Sequence, residues 1–272
     1  ANKSEFIAYA SRLITNSDME QHGYDFLVQL YEIFADVENQ TLYIEKGLQF
    51  CAINFAEDRE MRDRETSVFI LKKIKRLNQE PTGKKAMLDL LRKELKHFVS
   101  PFEKDFFDLA AIAFAQQDLP LTLEILLKVL ERDYSTEEVV QNFIHWHGLL
   151  KPMLSIGIES HSISYILLII ERNYFEEMDI PESSYYHNAL NAIDTYPEGF
   201  AGYHFAGTYL FEQQHFDQAT PYLKKALALN PLATTWRRYF TCNFYLNHEV
   251  APTIALNSSA LACYNQAIEL DD

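Results

Sequence analysis

Apolar residues recur every three to four positions along almost the whole chain, the period at which side chains line one face of a helix. The spacing predicts helices over 4–15, 19–35, 41–56, 65–78, 84–98, 102–116, 119–132, 136–152, 161–174, 183–195, 200–213, 216–229, 235–247 and 257–270. No segment alternates apolar and polar residues strictly enough to read as a strand. Start signals punctuate the pattern: Ser17 with Glu20 and Ser135 with Glu138 have capping-box spacing. Ser100-Pro101-Phe102-Glu103 adds a proline at a first helical position. The expected fold class is all-α.

Many short helices joined by brief connections make either a bundle or a stacked array, and internal repetition separates the two. Thr122–Tyr134 reads TLEILLKVLERDY, and Ser162–Tyr174 reads SISYILLIIERNY. Glu131 and Glu171, Arg132 and Arg172, and Tyr134 and Tyr174 coincide, and most apolar positions agree in kind. Ala192 and Pro197 precede Ala226 and Pro231 by one further repeat length. If 161–174 is the second helix of a pair, 183–195 is left unpaired, so the alternation is expected to break between 150 and 200.

Residues 200–233 read FAGYHFAGTYLFEQQHFDQATPYLKKALALNPLA. Tyr203 is bulky early in a first helix, and Gly207 is small where two helices must approach. Ala219 and Ala226 mark the packing face of a second helix, Pro231 follows it, and Leu210, Phe216 and Leu223 fill the larger positions. Small residues let antiparallel helices come close while aromatics fill the gaps between successive pairs. This segment resembles the tetratricopeptide repeat. Residues 103–136 follow the same pattern by residue type, with Tyr134 where the closing proline would stand. At 234–272, Trp236 opens a first helix, and Ala260, Tyr264 and Ala267 mark a second.

The resemblance implies a right-handed α-solenoid of antiparallel helix pairs over 100–272. Residues 1–99 read as an N-terminal helical region, either divergent repeats or a separate domain. The EDREMRDRE run at 57–65 reads as a linker or exposed loop. The resemblance also implies a concave groove lined by first helices that holds a peptide or a partner helix. Its positions here are Ala201, His204, Thr208, Phe211 and Glu212, then Thr234, Arg237, Thr241, Phe244 and Tyr245. Relatives that grip a C-terminal carboxylate carry Lys and Asn where this chain has His204 and Thr208, so that mode is not expected. The aromatics suggest an apolar groove, or simply packing between repeats.

Composition sharpens this picture at several points. With 272 residues and 48% apolar content the chain can bury a large core, and 8 Gly with 9 Pro suit helices better than sheets. A net charge of -15 opposes tracking of a nucleic-acid backbone and attraction to anionic membranes. Against that background Lys72, Lys73, Lys75, Arg76, Lys84, Lys85, Arg92, Lys93 and Lys96 form a basic patch over 71–97, opposed there only by Glu80, Asp89 and Glu94. Such a patch is a solvated face, a partner to the protein's own acidic surface, a docking site for an acidic partner, or a contact to nucleic acid, the last weakened because no aromatics interleave the lysines.

Cys51, Cys242 and Cys263 have no metal or redox spacing, which suggests a reducing compartment. No signal peptide and no membrane span is read, so the expected compartment is the cytoplasm. His145 and His147, two apart on a helix, point to different faces and read as structural. There is no phosphate loop, nucleophile elbow or zinc signature, so no catalytic residue, cofactor or metal is expected.

The functional expectation is a non-enzymatic interaction module, a bacterial-type adaptor, regulator or immunity protein with a protein or peptide partner. The alternative is the scaffold region of a larger enzyme such as a glycosyltransferase, which presents protein substrates to a catalytic domain beyond Asp272. Apolar positions along the last helix suggest capping, continuation of the chain, or a homo-oligomer formed through that helix.

Overall fold

The computed structural model describes residues 3–15, 20–80, 82–98, 103–130, 136–156 and 160–250. Thirteen α-helices are formed by these residues, with 3₁₀ segments at Leu95–His97 and Lys151–Ile156 and no strand among them. They are α1 (Lys3–Ile14), α2 (Glu20–Ile33), α3 (Val37–Asn54), α4 (Arg59–Asn78), α5 (Lys84–Glu94), α6 (Glu103–Ala115) and α7 (Leu119–Leu130). There follow α8 (Glu137–Leu150), α9 (Ser160–Asn173), α10 (Ser183–Thr195), α11 (Phe200–Glu212), α12 (Phe216–Leu229) and α13 (Ala233–Val250). The helix read at 257–270, with Ala260, Cys263, Tyr264 and Ala267, lies outside the described residues, as do Ser17, Ser100, Pro101, Ser135, and Glu131, Arg132 and Tyr134. The chain divides into two compact units, Ala1–Val129 and Leu130–Asp272.

Local chemistry sets the helix starts more than hydrophobic spacing does. Asp36 accepts a hydrogen bond from the Asn39 N–H at 3.3 Å, so α3 opens at Val37 and not at 41. Asp58 accepts from the Met61 N–H at 2.9 Å, and α4 opens at Arg59. The EDREMRDRE run is therefore mostly the first turns of α4, not a linker, and Arg59 pairs with Asp63 one turn on at 3.6 Å. At α8 the cap is Thr136, whose hydroxyl accepts from the Val139 N–H.

In the first unit, α2 packs on α1 and α3, and α4 packs on α3, α5 and α6. In the second, α11 packs on α10 and α12 and also reaches α9 and α13. Within α1–α5 and within α8–α13 each helix thus packs antiparallel on its neighbour in sequence, while the alternate helices α4 and α6 also meet, as do α9, α11 and α13 in a row. This row corrects the expected phase: α9 stands with α11 and α13, and α10 pairs with α11 as α12 does. The irregular stretch is the 3₁₀ segment at Lys151–Ile156, which packs on α8 and α9.

One turn leads directly into the next helix at three of the connections, and its pair of bonds also forms at Asp179 (φ 53°), where α10 starts only at Ser183. Ala35, Gln117 and Gln214 each adopt a left-handed conformation, with φ of 52°, 61° and 60°. At each, the N–H of the following residue donates to the carbonyl five residues back: Asp36 to Tyr31, Asp118 to Ala113 and His215 to Leu210, at 2.8, 3.0 and 2.8 Å. The left-handed residue itself donates three residues back, to Glu32, Phe114 and Phe211. This pair of bonds closes a helix end and reverses the chain, so the next helix starts two residues after the left-handed one.

Positions counted from that turn are buried alike: Val28, Ala110 and Gly207 before it, then Gln40, Thr122 and Ala219, and Ile44, Leu126 and Leu223 after it. Complete burial of each larger apolar side chain contributes roughly 1.5–3 kcal/mol. On α11, Gly202 lies where a β-carbon would meet the Ala189 carbonyl of α10 at 2.8 Å. Gly207 lies where one would meet Leu223 of α12 at 2.8 Å. Close approach on both sides leaves α11 the most tightly held helix of its unit.

Candidate functional site

The α11 face shared with α9 and α13 carries most of the groove positions read from the sequence. His204, Thr208 and Glu212 follow at four-residue spacing and therefore form one stripe. His204 is 6% exposed, and its Nδ1 lies 2.7 Å from the Thr235 hydroxyl of α13. Burial, with Arg238 and Arg172 nearby, pushes its pKa down to about 3. Thr208 is 1% exposed, and its hydroxyl has no hydrogen-bond partner among the described residues. Glu212 accepts the Tyr185 hydroxyl of α10 at 2.7 Å and pairs with Arg172 of α9.

Burial and the bond to Glu212 raise the Tyr185 pKa well above that of a free phenol, so it stays a donor. Burial and the like charge of Arg172 hold Arg238 below the usual guanidinium value. Arg172 thus holds Glu212 directly and Arg238 feels both charges from α13, with the unsatisfied Thr208 hydroxyl on the same stripe. Of the remaining groove positions, Ala201 is buried, Phe211 and Thr241 are half-buried, and Thr234 and Arg237 are exposed. Phe244 is 43% and Tyr245 49% exposed. Tyr245 stacks on Phe216 at 4.9 Å, and Phe216 in turn meets Phe211 at 5.7 Å, so this aromatic run also joins α11, α12 and α13.

A second feature of the same unit was not singled out from the sequence. A cavity of about 330 Å³ lies against α9 and α10, with the 2%-exposed Glu171 in its wall beside Asn188, and Lys151 among its lining residues. His147 Nε2 lies 2.9 Å from Glu171, Asn188 donates to it at 2.7 Å, and Lys151 is 3.6 Å away. Burial alone would raise the Glu171 pKa, but the bonds to His147 and Asn188 outweigh it and hold the carboxyl below its ordinary range. His145 is exposed and turns its ring edge toward Trp146, so the two histidines of the HWH run do face apart. No group of three or more His, Cys, Asp or Glu able to hold a metal occurs among the described residues.

The basic patch is largely matched within its own unit. Lys72 pairs with Asp25 of α2 and Lys75 with Asp108 of α6, so α4 is tied along its row in both directions. Lys73 pairs with Glu45, Arg92 with Asp118, Lys93 with Glu94, and the 7%-exposed Arg76 with Glu80. Lys84 and Lys85 are exposed at the start of α5. The Lys96 side chain lies outside the described residues. Cys51 and Cys242 are buried free thiols whose pKa burial pushes up to about 11, which suits packing and not nucleophilic chemistry.

No described helix is long and apolar enough to cross a membrane. No protein-family model matches this chain. No curated protein matches it either.

Proposed function

We propose that the chain is a tetratricopeptide-like, right-handed α-solenoid that works as a non-enzymatic interaction module, with the α9–α11–α13 face as its partner-binding groove. One observation carries this reading. The same left-handed turn, with the same hydrogen bonds and the same buried positions around it, recurs at Ala35, Gln117 and Gln214. A unit repeated in this way builds an extended surface from its alternate helices, and such surfaces serve binding. The α2–α3 instance extends the repeat pattern into residues 1–99. On the proposed face, Arg172 and Arg238 around Glu212 supply a polar anchor, and Phe244 with Tyr245 supply exposed apolar area. The partner expected is a peptide or helix that presents a carboxylate beside apolar side chains.

The test is a random-peptide display selection on the intact chain, followed by affinity measurement on the wild type and on the Phe211→Ala plus Arg237→Ala variant. Selected peptides should bind the variant at least tenfold more weakly, the loss expected when interface anchors are truncated. Equal affinity for both proteins rejects the groove, and a selection that yields no specific peptide rejects the module.

A further inference from the structure

A cavity of about 630 Å³ in the first unit runs along α4 on the side flanked by α3 and α5. Its floor is apolar, built by Leu48 and Ala52 of α3, Ile70 of α4, and Leu90 of α5 with Phe98. Its rim is cationic: Arg59, Arg62, Lys73 and Lys93 line it, against Asp63 and Glu94, with Lys73 also paired to Glu45, so one cation is in excess. We propose that this groove is a second docking site, which takes an acidic, apolar-anchored peptide segment of a partner protein.

The dimensions favour a peptide. Arg59 and Lys73 both line the groove, and the α4 backbone between them spans about 21 Å at the helical rise. That length matches an incoming helix of roughly four turns or an extended segment of about six residues. The charges favour acidic side chains. Arg59 and Arg62 share the single carboxylate of Asp63 at 3.6 and 3.8 Å. Both separations exceed the roughly 2.7–2.9 Å of a close charge-assisted bond, so each guanidinium keeps donors for a further carboxylate. The Lys93 side chain is 78% exposed and can swing between Glu94 and an occupant.

The surrounding charge sharpens the choice. The chain as a whole stands at -15, so an acidic partner is repelled over most of the surface and attracted only where cations outnumber carboxylates. A single-stranded nucleic acid fits this groove less well, because successive bases need a row of aromatic faces to stack on, and the wall offers the exposed His97 ring beside Phe98, which is 5% exposed. The groove is lined by α3, α4, α5 and the His97–Phe98 stretch that follows, all in the first unit, so it stands independently of the α9–α11–α13 face.

The experiment uses the full chain and a fluorescein-labelled fourteen-residue peptide, with leucine at every third or fourth position and glutamate elsewhere. A control peptide has lysine in place of each glutamate. Fluorescence anisotropy should show the acidic peptide binding at least tenfold tighter than the lysine peptide, and weakening about tenfold between low and physiological salt. Arg62→Glu plus Lys93→Glu should reduce that affinity by a further tenfold or more, with an unchanged helical circular dichroism signal. Ala52→Gln, which fills the floor from an exposed position with a neutral side chain, should do the same without changing the charge. Phe211→Ala plus Arg237→Ala should leave it unchanged, which separates failure of this site from failure of the α11 groove. Equal binding of both peptides, indifference to the charge reversals, or displacement of the acidic peptide by a single-stranded oligonucleotide would overturn the assignment.

Discussion

Gly47 of α3 lies directly against the ring of Phe69 of α4, so a β-carbon placed on Gly47 would come within 2.2 Å of the ring. Phe69 is completely buried, in one core cluster with Val28 of α2 and Ile44 and Cys51 of α3. Gly47→Ala is therefore expected to destabilise the first unit by about 1–3 kcal/mol through overpacking. Gly148 is also helical, but nothing approaches within 4 Å of the position its β-carbon would take. Gly148→Ala should stabilise α8 by up to about 1 kcal/mol, because alanine has the higher helix propensity. Urea unfolding of the two variants should move in opposite directions.

Gln117 and Gln214 hold left-handed backbone conformations that cost a side-chain-bearing residue roughly 1 kcal/mol. Gln117→Gly and Gln214→Gly should each raise stability by about 0.5–1 kcal/mol, since glycine adopts this conformation freely. Gln213→Gly, one residue earlier, should not. Thermal unfolding of the three variants checks whether the turn geometry is as described.

His204 supplies a pH dependence with a defined sign. Its folded pKa of about 3 lies below the ordinary histidine value of 6.5, because burial and two nearby guanidiniums disfavour the imidazolium. As pH falls below the unfolded value, the unfolded chain takes up a proton that the folded chain refuses. The contribution is complete above about 6.5 and is lost progressively down toward the folded pKa. Glu171 acts lower, because its folded pKa lies below 4.5 and its contribution fades only as pH falls below that value. Between pH 6.5 and 5 the melting temperature should therefore drop in the wild type and drop less in His204→Gln. Parallel curves for the two proteins would remove His204 as the cause.

The helices were legible in the sequence because a 3.6-residue apolar period survives the absence of any other signal. Their starts at α3 and α4 were not, because Asp36 and Asp58 act through one backbone bond each and leave the apolar pattern untouched. The α2–α3 repeat was hidden for a related reason. Its left-handed turn residue is Ala35, and alanine does not announce that conformation as glycine would. The signal that could have found it is the alignment of Ala35-Asp36-Val37, Gln117-Asp118-Leu119 and Gln214-His215-Phe216, each followed three residues later by a buried side chain.

The expected groove positions on α11 do share one face, but how deeply they are buried was not legible. His204 and Thr208 sit on the predicted stripe yet are buried, and Thr235 of α13 is the residue that meets His204. Pairing across helices is also invisible to local counting, so the sequence left several roles open for the lysines, of which Lys72 and Lys75 take the pairing with the protein's own carboxylates, on α2 and α6.

The claim that alternate helices build a partner-binding face is tested most directly by hydrogen–deuterium exchange on the chain with and without a display-selected peptide. The account predicts that bound peptide slows exchange in α9, α11 and α13, and leaves α10 and α12 unchanged. Protection of α10 and α12 in place of that row, or selected peptides that protect none of these helices, would contradict it.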